Sequence, residues 1–244
     1  MKSFTVAVYG AYGHTGRFVV AKLRELGVDL VLSGRNQEKL KEFGRAYPHS
    51  SIVAADIEDA ASLHNAFHSA DIIVNCAGPF LDTAQPIVDV ALKLGKHYID
   101  LSAEQRSVLD IYDIFSVAAL SAGTLIIPGA AFYGGLADLL GSQLAGSNKK
   151  MDELNIYIGL SHWHPTRGTR LTGKRNHYPR LVFTNGNLRP IQNPEQSVWN
   201  FPAPIGRKEV VAVPLSETIT ISKHLNVNNI NTSFLSQLRQ SNFL

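Results

Sequence analysis

Phe4-Thr5-Val6-Ala7-Val8-Tyr9-Gly10-Ala11-Tyr12-Gly13-His14-Thr15-Gly16 decides how the rest of the chain is read. A short apolar run enters three glycines spaced G-x-x-G-x-x-G, and Phe18, Val19, Leu23 and Leu26 then recur at helical spacing. Strand, glycine turn and helix in that order form a variant of the dinucleotide-binding turn. Gly10 permits the tight turn, Gly13 lets the backbone approach a pyrophosphate, and Gly16 lets the helix pack on the strand. Tyr12, His14 and Thr15 occupy the intervening positions and are candidate contacts. The helix N-terminus offers N–H groups and about half a positive charge to an anion. The competing reading is a tight turn with a structural role only.

Outward from this turn, further apolar runs follow at Leu30–Ser33, Ile52–Ala55, Ile72–Asn75, Tyr98–Leu101 and Leu125–Pro128. Several are apolar on consecutive residues, as parallel strands covered on both faces should be. Helical patterns separate them, with Gly27, Gly44, Gly95 and Gly123 at or near helix ends. This is the pattern of an α/β fold, a doubly wound parallel sheet of the Rossmann type, over residues 1–148. The polar stretch Gly146-Ser147-Asn148-Lys149-Lys150 marks the boundary. Residues 149–244 read as a second, smaller and mostly antiparallel α+β domain. Its expected strands are Leu154–Leu160, Leu181–Thr184, Glu209–Val213 and Thr218–Ser222, with a hairpin turn at Asn185-Gly186.

The end of the second strand selects the dinucleotide. An NAD site places a carboxylate there, about 20 residues on, to hold the ribose 2′-hydroxyl. Here the residues are Ser33-Gly34-Arg35-Asn36, and Arg35 can take a 2′-phosphate with its planar fork, which points to NADP. A surface arginine opening a helix is the alternative. Asp56, after the third strand, either flanks the adenine or caps the next helix. Asn75-Cys76-Ala77-Gly78-Pro79-Phe80, after the fourth, is a small-residue loop suited to pass beside the ribose and nicotinamide, with Asn75, Ala77, Gly78 and Pro79 as its candidate contacts. Its alternative is a plain connecting turn.

Totals exclude several functions. A formal charge of +3 makes no case for nucleic acid or an anionic membrane. The one cysteine, Cys76, cannot form an internal disulfide or a thiolate cluster, which fits a reducing compartment. The apolar run Phe4–Tyr9 is too short for a secretory signal. Ala118–Ala145 is interrupted by Pro128, glycines and Asp138 and does not make a membrane span. The default location is cytoplasmic.

The chain resembles the saccharopine dehydrogenase-like oxidoreductases, including the trans-acting enoyl reductase branch. The resemblance rests on Val8–Gly16, Ser33–Asn36, Asn75–Phe80, His97–Glu104 and Pro128–Phe132, and is weaker over Val210–His224. It implies an NADP-binding Rossmann domain, a second domain and oxidoreductase activity on a small-molecule substrate. Ala103 stands where relatives often have glycine, and Tyr133-Gly134-Gly135 replaces an Asp-containing turn. Relatives are usually longer, so the end at Ser241-Asn242-Phe243-Leu244 suggests a fragment or a shortened variant, truncated in the second domain that the resemblance assigns to substrate or dimer contacts. The residues from about Asn228 are then expected to pack poorly and to favour a homodimer.

No tyrosine is followed four residues later by lysine, so the short-chain reductase device is absent. Glu104 and Tyr133 are the proton-transfer candidates, because both follow strands whose ends face the cofactor. Against this, Glu104 can be an exposed first-turn carboxylate and Tyr133 a packing residue. Ser102 with Gln105 fits a capping box. Cys76 reads as a small buried residue, with no activating base near it in sequence. His162-x-His164 lacks further ligands, so no metal is expected. Arg167, Arg170, Lys174, Arg175 and Arg180 occur without an intervening acid; an anionic-substrate site competes there with a solvated loop. The alternatives to an enzyme are a non-enzymatic NADP-binding sensor or scaffold and an inactive truncated paralogue.

Overall fold

The computed structural model describes residues 4–146 and 150–237. Most of the polar stretch at 146–150 and the chain end at 241–244 therefore lie outside the described residues. Contacts divide the chain into two units, Met1–Leu101 with Asp110–Pro128, and Ser102–Leu109 with Gly129–Leu244. The compositional boundary after residue 148 falls inside the second unit, because the helical residues 132–145 pack on elements that follow them.

In the first unit β1 (Thr5–Tyr9), α1 (His14–Glu25), β2 (Asp29–Gly34), α2 (Gln37–Gly44), β3 (Ser51–Ala54), α3 (Ala60–Phe67), β4 (Ile72–Asn75), α4 (Phe80–Leu94), β5 (His97–Asp100), α5 (Gln105–Ala122, from Asp110 on) and β6 (Ile126–Ile127) alternate along the chain. The strands form one parallel sheet in the order β3-β2-β1-β4-β5-β6. Alternate residues of β1 feed two cores. Val6 and Val8 pack with Val20 of α1 and Leu40 of α2. Ala7 and Tyr9 pack with α3, α4 and Ile111 and Phe115 of α5. Burial on both faces is why these strands are apolar throughout. Strand order reverses beside β1, so the crevice beyond the carboxyl ends of β1 and β4 is where such a sheet binds ligands. One expected stripe is corrected. Phe18 and Leu26 are exposed, and α1 buries Gly16 and Val20 and packs Val19 and Leu23 instead.

The second unit contains a π-helical turn (Phe132–Leu136), α6 (Ala137–Ala145), β7 (Met151–Ile158), α7 (Arg167–Arg175), β8 (Leu181–Thr184), β9 (Asn187–Pro190), β10 (Gln196–Phe201), β11 (Gly206–Ala212), α8 (Ser216–Ser222) and β12 (Val227–Leu235). β12 is the spine of its sheet. β7 runs parallel along one edge, while β8 and β11 pair antiparallel with successive parts of the other. The β8–β9 hairpin turns at Asn185 (φ 51°) and Gly186 (φ 74°), the left-handed pair a two-residue turn requires. Thr218–Ser222, expected as a strand, belongs to α8. Its β-branched residues are buried whichever way they point, so neighbouring elements override local preference. The basic segment expected as a loop is the helix α7, capped by the Thr166 hydroxyl, which accepts the Thr169 N–H at 3.2 Å. Of the stretch from Asn228 expected to pack poorly, the described part does not: Ile230, Thr232, Phe234 and Leu235 are all buried, and residues 238–244 lie outside the described residues.

Candidate cofactor-binding site

Three loops at the carboxyl ends of β1, β2 and β4 meet around Gly10. Its N–H and that of Ala11 both donate to the Ser33 carbonyl, at 2.8 and 3.1 Å, tying the turn to the end of β2. Gly10 has φ 81°, and a Cβ there would stand 3.0 Å from the Ala77 Cβ. A Cβ on Gly16 would collide with the Gly10 carbonyl oxygen and come 2.9 Å from that of Ala11. Glycine at both positions lets α1 begin directly under the turn. α1 is N-capped by Gly13 with no side-chain cap and no acid in its first turn. Asn36 and Asp59, by contrast, cap α2 and α3 with their side chains. The N-terminus of α1 is thus the one of these three left to satisfy an external anion. His14 and Thr15 are exposed there, with His14 edge-on to Phe18.

At the end of β2, Arg35 is exposed and forms no ion pair among the described residues. Asn36 is occupied: its Oδ1 accepts the Lys39 N–H at 2.9 Å, and its own N–H donates to the Tyr12 hydroxyl at 3.2 Å. Beyond β3, Asp59 and not Asp56 caps α3, which removes the capping alternative for Asp56. Asp56 is exposed and accepts the Glu58 N–H at 3.1 Å. The buried Tyr9 phenol donates to the Ala55 carbonyl at 3.2 Å; burial, then the Asp56 charge, push its pKa up to about 12. A shallow groove of about 320 Å³ opens beside Ile57 between α3 and α4, lined in part by Ala60, Leu81 and Gln85.

The Asn75 side chain faces inward. Its Nδ2 donates to the Thr83 and Tyr98 hydroxyls at 3.1 and 3.2 Å, and its Oδ1 accepts the Ala77 N–H at 3.0 Å. Thr83 Oγ1 in turn donates to the Ala77 carbonyl at 2.6 Å, and Tyr98 to Asp100 Oδ2 at 3.0 Å. Asn75 therefore shapes the loop, and Ala77, Gly78 and Pro79 form its outer part. Burial, then the Asp100 charge, raise the Tyr98 pKa well above its ordinary value and push Cys76 up to about 12. A thiol so protonated is no nucleophile at neutral pH. Tyr98 and Asp100 escaped the reading of the sequence because alternating polar residues inside the short run of β5 look like an ordinary half-exposed strand, and Thr83 because it is a single polar residue in the first turn of α4.

In the second unit, Glu104 is buried at 4% exposure, unlike the solvated first-turn carboxylate that was its alternative, and its Oε1 accepts from Thr172 of α7 at 3.2 Å. The expected capping box is half formed. Ser102 Oγ accepts the Glu104 N–H at 3.0 Å, but Gln105 donates to and accepts from the Leu181 backbone, both at 2.8 Å. Arg106 lies over the Tyr178 ring at 5.3 Å. Residues 104–106 are thereby gripped by residues 172–181. Tyr133 packs against Phe132 and Phe234, and burial raises its pKa. Glu217, which the sequence did not single out, is fully buried; desolvation raises its pKa although Thr232 and the Leu215 N–H donate to it. His162 and His164 stack at 6.4 Å outside any strand. Among the described residues no three His, Cys, Asp or Glu side chains gather as metal ligands, and no helix is long and apolar enough to cross a membrane.

Residues 6–122 match the family model of the saccharopine dehydrogenase NADP binding domain. The chain is 26% identical over 151 residues to the lipid droplet localized protein of Caenorhabditis elegans, covering 57% of this chain and 35% of that protein. It is 28% identical over 156 residues to the saccharopine dehydrogenase-like oxidoreductase of Bos taurus, covering 57% and 36%. The chain thus spans about a third of the length of these relatives. Apo saccharopine dehydrogenase (L-Glu forming) from Saccharomyces cerevisiae has a similar fold, with a TM-score of 0.62 over 96% of this chain and 55% of that one at 11% identity.

Proposed function

We propose that the chain, whose residues 6–122 match the model of the saccharopine dehydrogenase NADP binding domain, is an oxidoreductase that holds NADP(H) beyond the carboxyl ends of β1, β2 and β4 and acts on a small-molecule substrate. The observation that carries the cofactor assignment is Arg35, exposed and without an ion pair where an NAD site has a carboxylate. The donor set suits that group: backbone N–H at the uncapped start of α1 for the pyrophosphate, a guanidinium for the 2′-phosphate, and glycines wherever a Cβ would intrude. Asp56 would border the adenine of a bound cofactor, while Ala77, Gly78 and Pro79, braced by Asn75, would border its ribose and nicotinamide. When bound, the nicotinamide supplies hydride chemistry. The chain's part is to orient it and to manage a proton, for which Glu104 and Tyr133 remain the candidates; Glu104 accepts from Thr172 and Tyr133 packs against Phe234. The cations of α7 and Arg180 favour an anionic substrate.

Calorimetric titration with each cofactor tests the assignment. A charge-assisted hydrogen bond is worth about 1.5–3 kcal/mol, so Arg35→Ala should weaken NADPH binding about ten- to a hundredfold and leave NADH binding nearly unchanged. Arg35→Asp should reverse the preference. Equal wild-type affinities for the two cofactors would remove Arg35 from the site. For location, a cytoplasmic protein is the proposal. Recovery in a lipid droplet fraction, as the name of the nematode relative would suggest, counts against it.

A further inference from the structure

We propose that Tyr12 is the positioning residue that sets the cofactor preference, by fastening the Arg35 loop to the phosphate-binding turn; this rests on the NADP site proposed above. The Arg35 side chain is exposed and forms no ion pair among the described residues, so its position depends chiefly on the backbone on either side. Tyr12 holds both sides. On one, its ring lies against Gly34, so closely that a Cβ on Gly34 would stand 3.0 Å from Cε1. On the other, its hydroxyl accepts the Asn36 N–H at 3.2 Å. The main chain of Tyr12 is tied to the same corner: its carbonyl accepts from Arg17 Nε at 3.0 Å, and the Arg17 guanidinium sits 5.8 Å over the ring of Phe43 in α2.

Two consequences follow for recognition. The turn that would meet the pyrophosphate and the loop that would meet the 2′-phosphate are joined by the Tyr12 side chain in addition to the Ser33 carbonyl, so the spacing of the two anion sites is set before the cofactor arrives. A preformed spacing removes ordering cost from binding. The second concerns the donors. With its N–H given to Tyr12 and its Oδ1 to the Lys39 N–H, Asn36 is fixed in place and keeps only its Nδ2 group to offer a phosphate, so the charged contact falls on Arg35. Tyr12 therefore acts through Arg35. A tyrosine that simply stacked on the adenosine would instead serve both cofactors alike.

The test is a double-mutant cycle read by titration with NADPH and NADH. Tyr12→Phe keeps the ring on Gly34 and removes only the hydroxyl. It should weaken NADPH binding about three- to tenfold, with NADH changed less than about twofold and the melting temperature unmoved. In the Arg35→Ala background, Tyr12→Phe should have no further effect on NADPH, because the residue it positions is gone. Equal losses for both cofactors, no loss for NADPH, or full additivity with Arg35→Ala would each overturn the proposal. If Arg35→Ala weakens NADPH and Tyr12→Phe does not, the inference fails while the site stands. If Arg35→Ala itself changes nothing, both fall.

Discussion

Gly16 has no room for a methyl group, and the obstruction is backbone on two sides. The carbonyl oxygens of Gly10 and Ala11 both lie inside contact distance of the Cβ that alanine would add. Relief requires α1 to lift from β1, where its Val20 and the Val6–Val8 strand face share a core. Overpacking of this kind costs about 1–3 kcal/mol, and each kcal/mol lowers the melting temperature of a chain this size by about 2–4 °C. Gly16→Ala should therefore melt several degrees lower and bind NADPH more weakly. Gly27→Ala makes a useful control, since its strain comes from a φ of 72° in open space far from the turn: it should lose stability and keep cofactor affinity. Calorimetry and scanning fluorimetry on the two variants separate the effects. A Gly16→Ala protein with unchanged affinity would show that the first turn of α1 does not need to stand where it does.

Gln105, which belongs with β8 to the second unit, imitates a strand at the start of β8. Its amide oxygen and nitrogen pair with the N–H and C=O of Leu181, both at 2.8 Å, supplying what a neighbouring strand would. Gln105→Leu keeps the volume and leaves two part-buried backbone groups unpaired, at about 1–3 kcal/mol in lost stability. Hydrogen exchange should report it locally, as faster exchange of the Leu181 amide, whereas the amides of β1 and β4 should be unaffected. Unchanged protection at Leu181 would refute the assignment. Such pairings explain which elements could be read in advance. β1 to β6 announce themselves because each is buried on both faces, and the glycine turn because backbone must meet backbone there. α8 could not be read correctly, since Thr218-Ile219-Thr220-Ile221 alternates like a strand and only its full burial makes either face acceptable. β10 was hidden for the opposite reason: five of its six residues are exposed, so no apolar run marks it. In the site, residues that depend on a local turn were legible, while the Asn75–Thr83–Tyr98–Asp100 network was not. Its members come from three elements and meet only through the sheet.

At the scale of the whole molecule, the unexplained surface is apolar. Phe132, Leu136, Leu139, Leu140 and Leu144 recur at helical spacing through the π-helical turn and α6, and each is 44–77% exposed. The opposite side of α6 is already used, with Gly141 close to Leu154 of β7 and Asp138 bonded to His224 at 2.8 Å. One face of this helix is built to pack inward, and the other meets solvent with leucines. Isolated exposed apolar residues are ordinary, but a contiguous row on one helix marks an association surface. Burying a leucine side chain is worth about 1.5–3 kcal/mol, and association costs about 4–15 kcal/mol, so several such residues from each copy are needed and are present. A homodimer is the expected outcome. Sedimentation velocity should show a weight-average mass that rises with concentration towards twice the 26.7 kDa of one chain. Leu139→Glu combined with Leu144→Glu should return it to a monomer with NADPH affinity intact, because α6 lies outside residues 6–122. α5 carries a second apolar row, Ile114, Val117 and Leu120, at 50–85% exposure. Val117→Glu with Leu120→Glu should leave the dimer in place if α6 makes the contact. Dissociation by the α5 pair and not the α6 pair would assign the interface to α5, and a monomer at every concentration would exclude a homodimer through either helix.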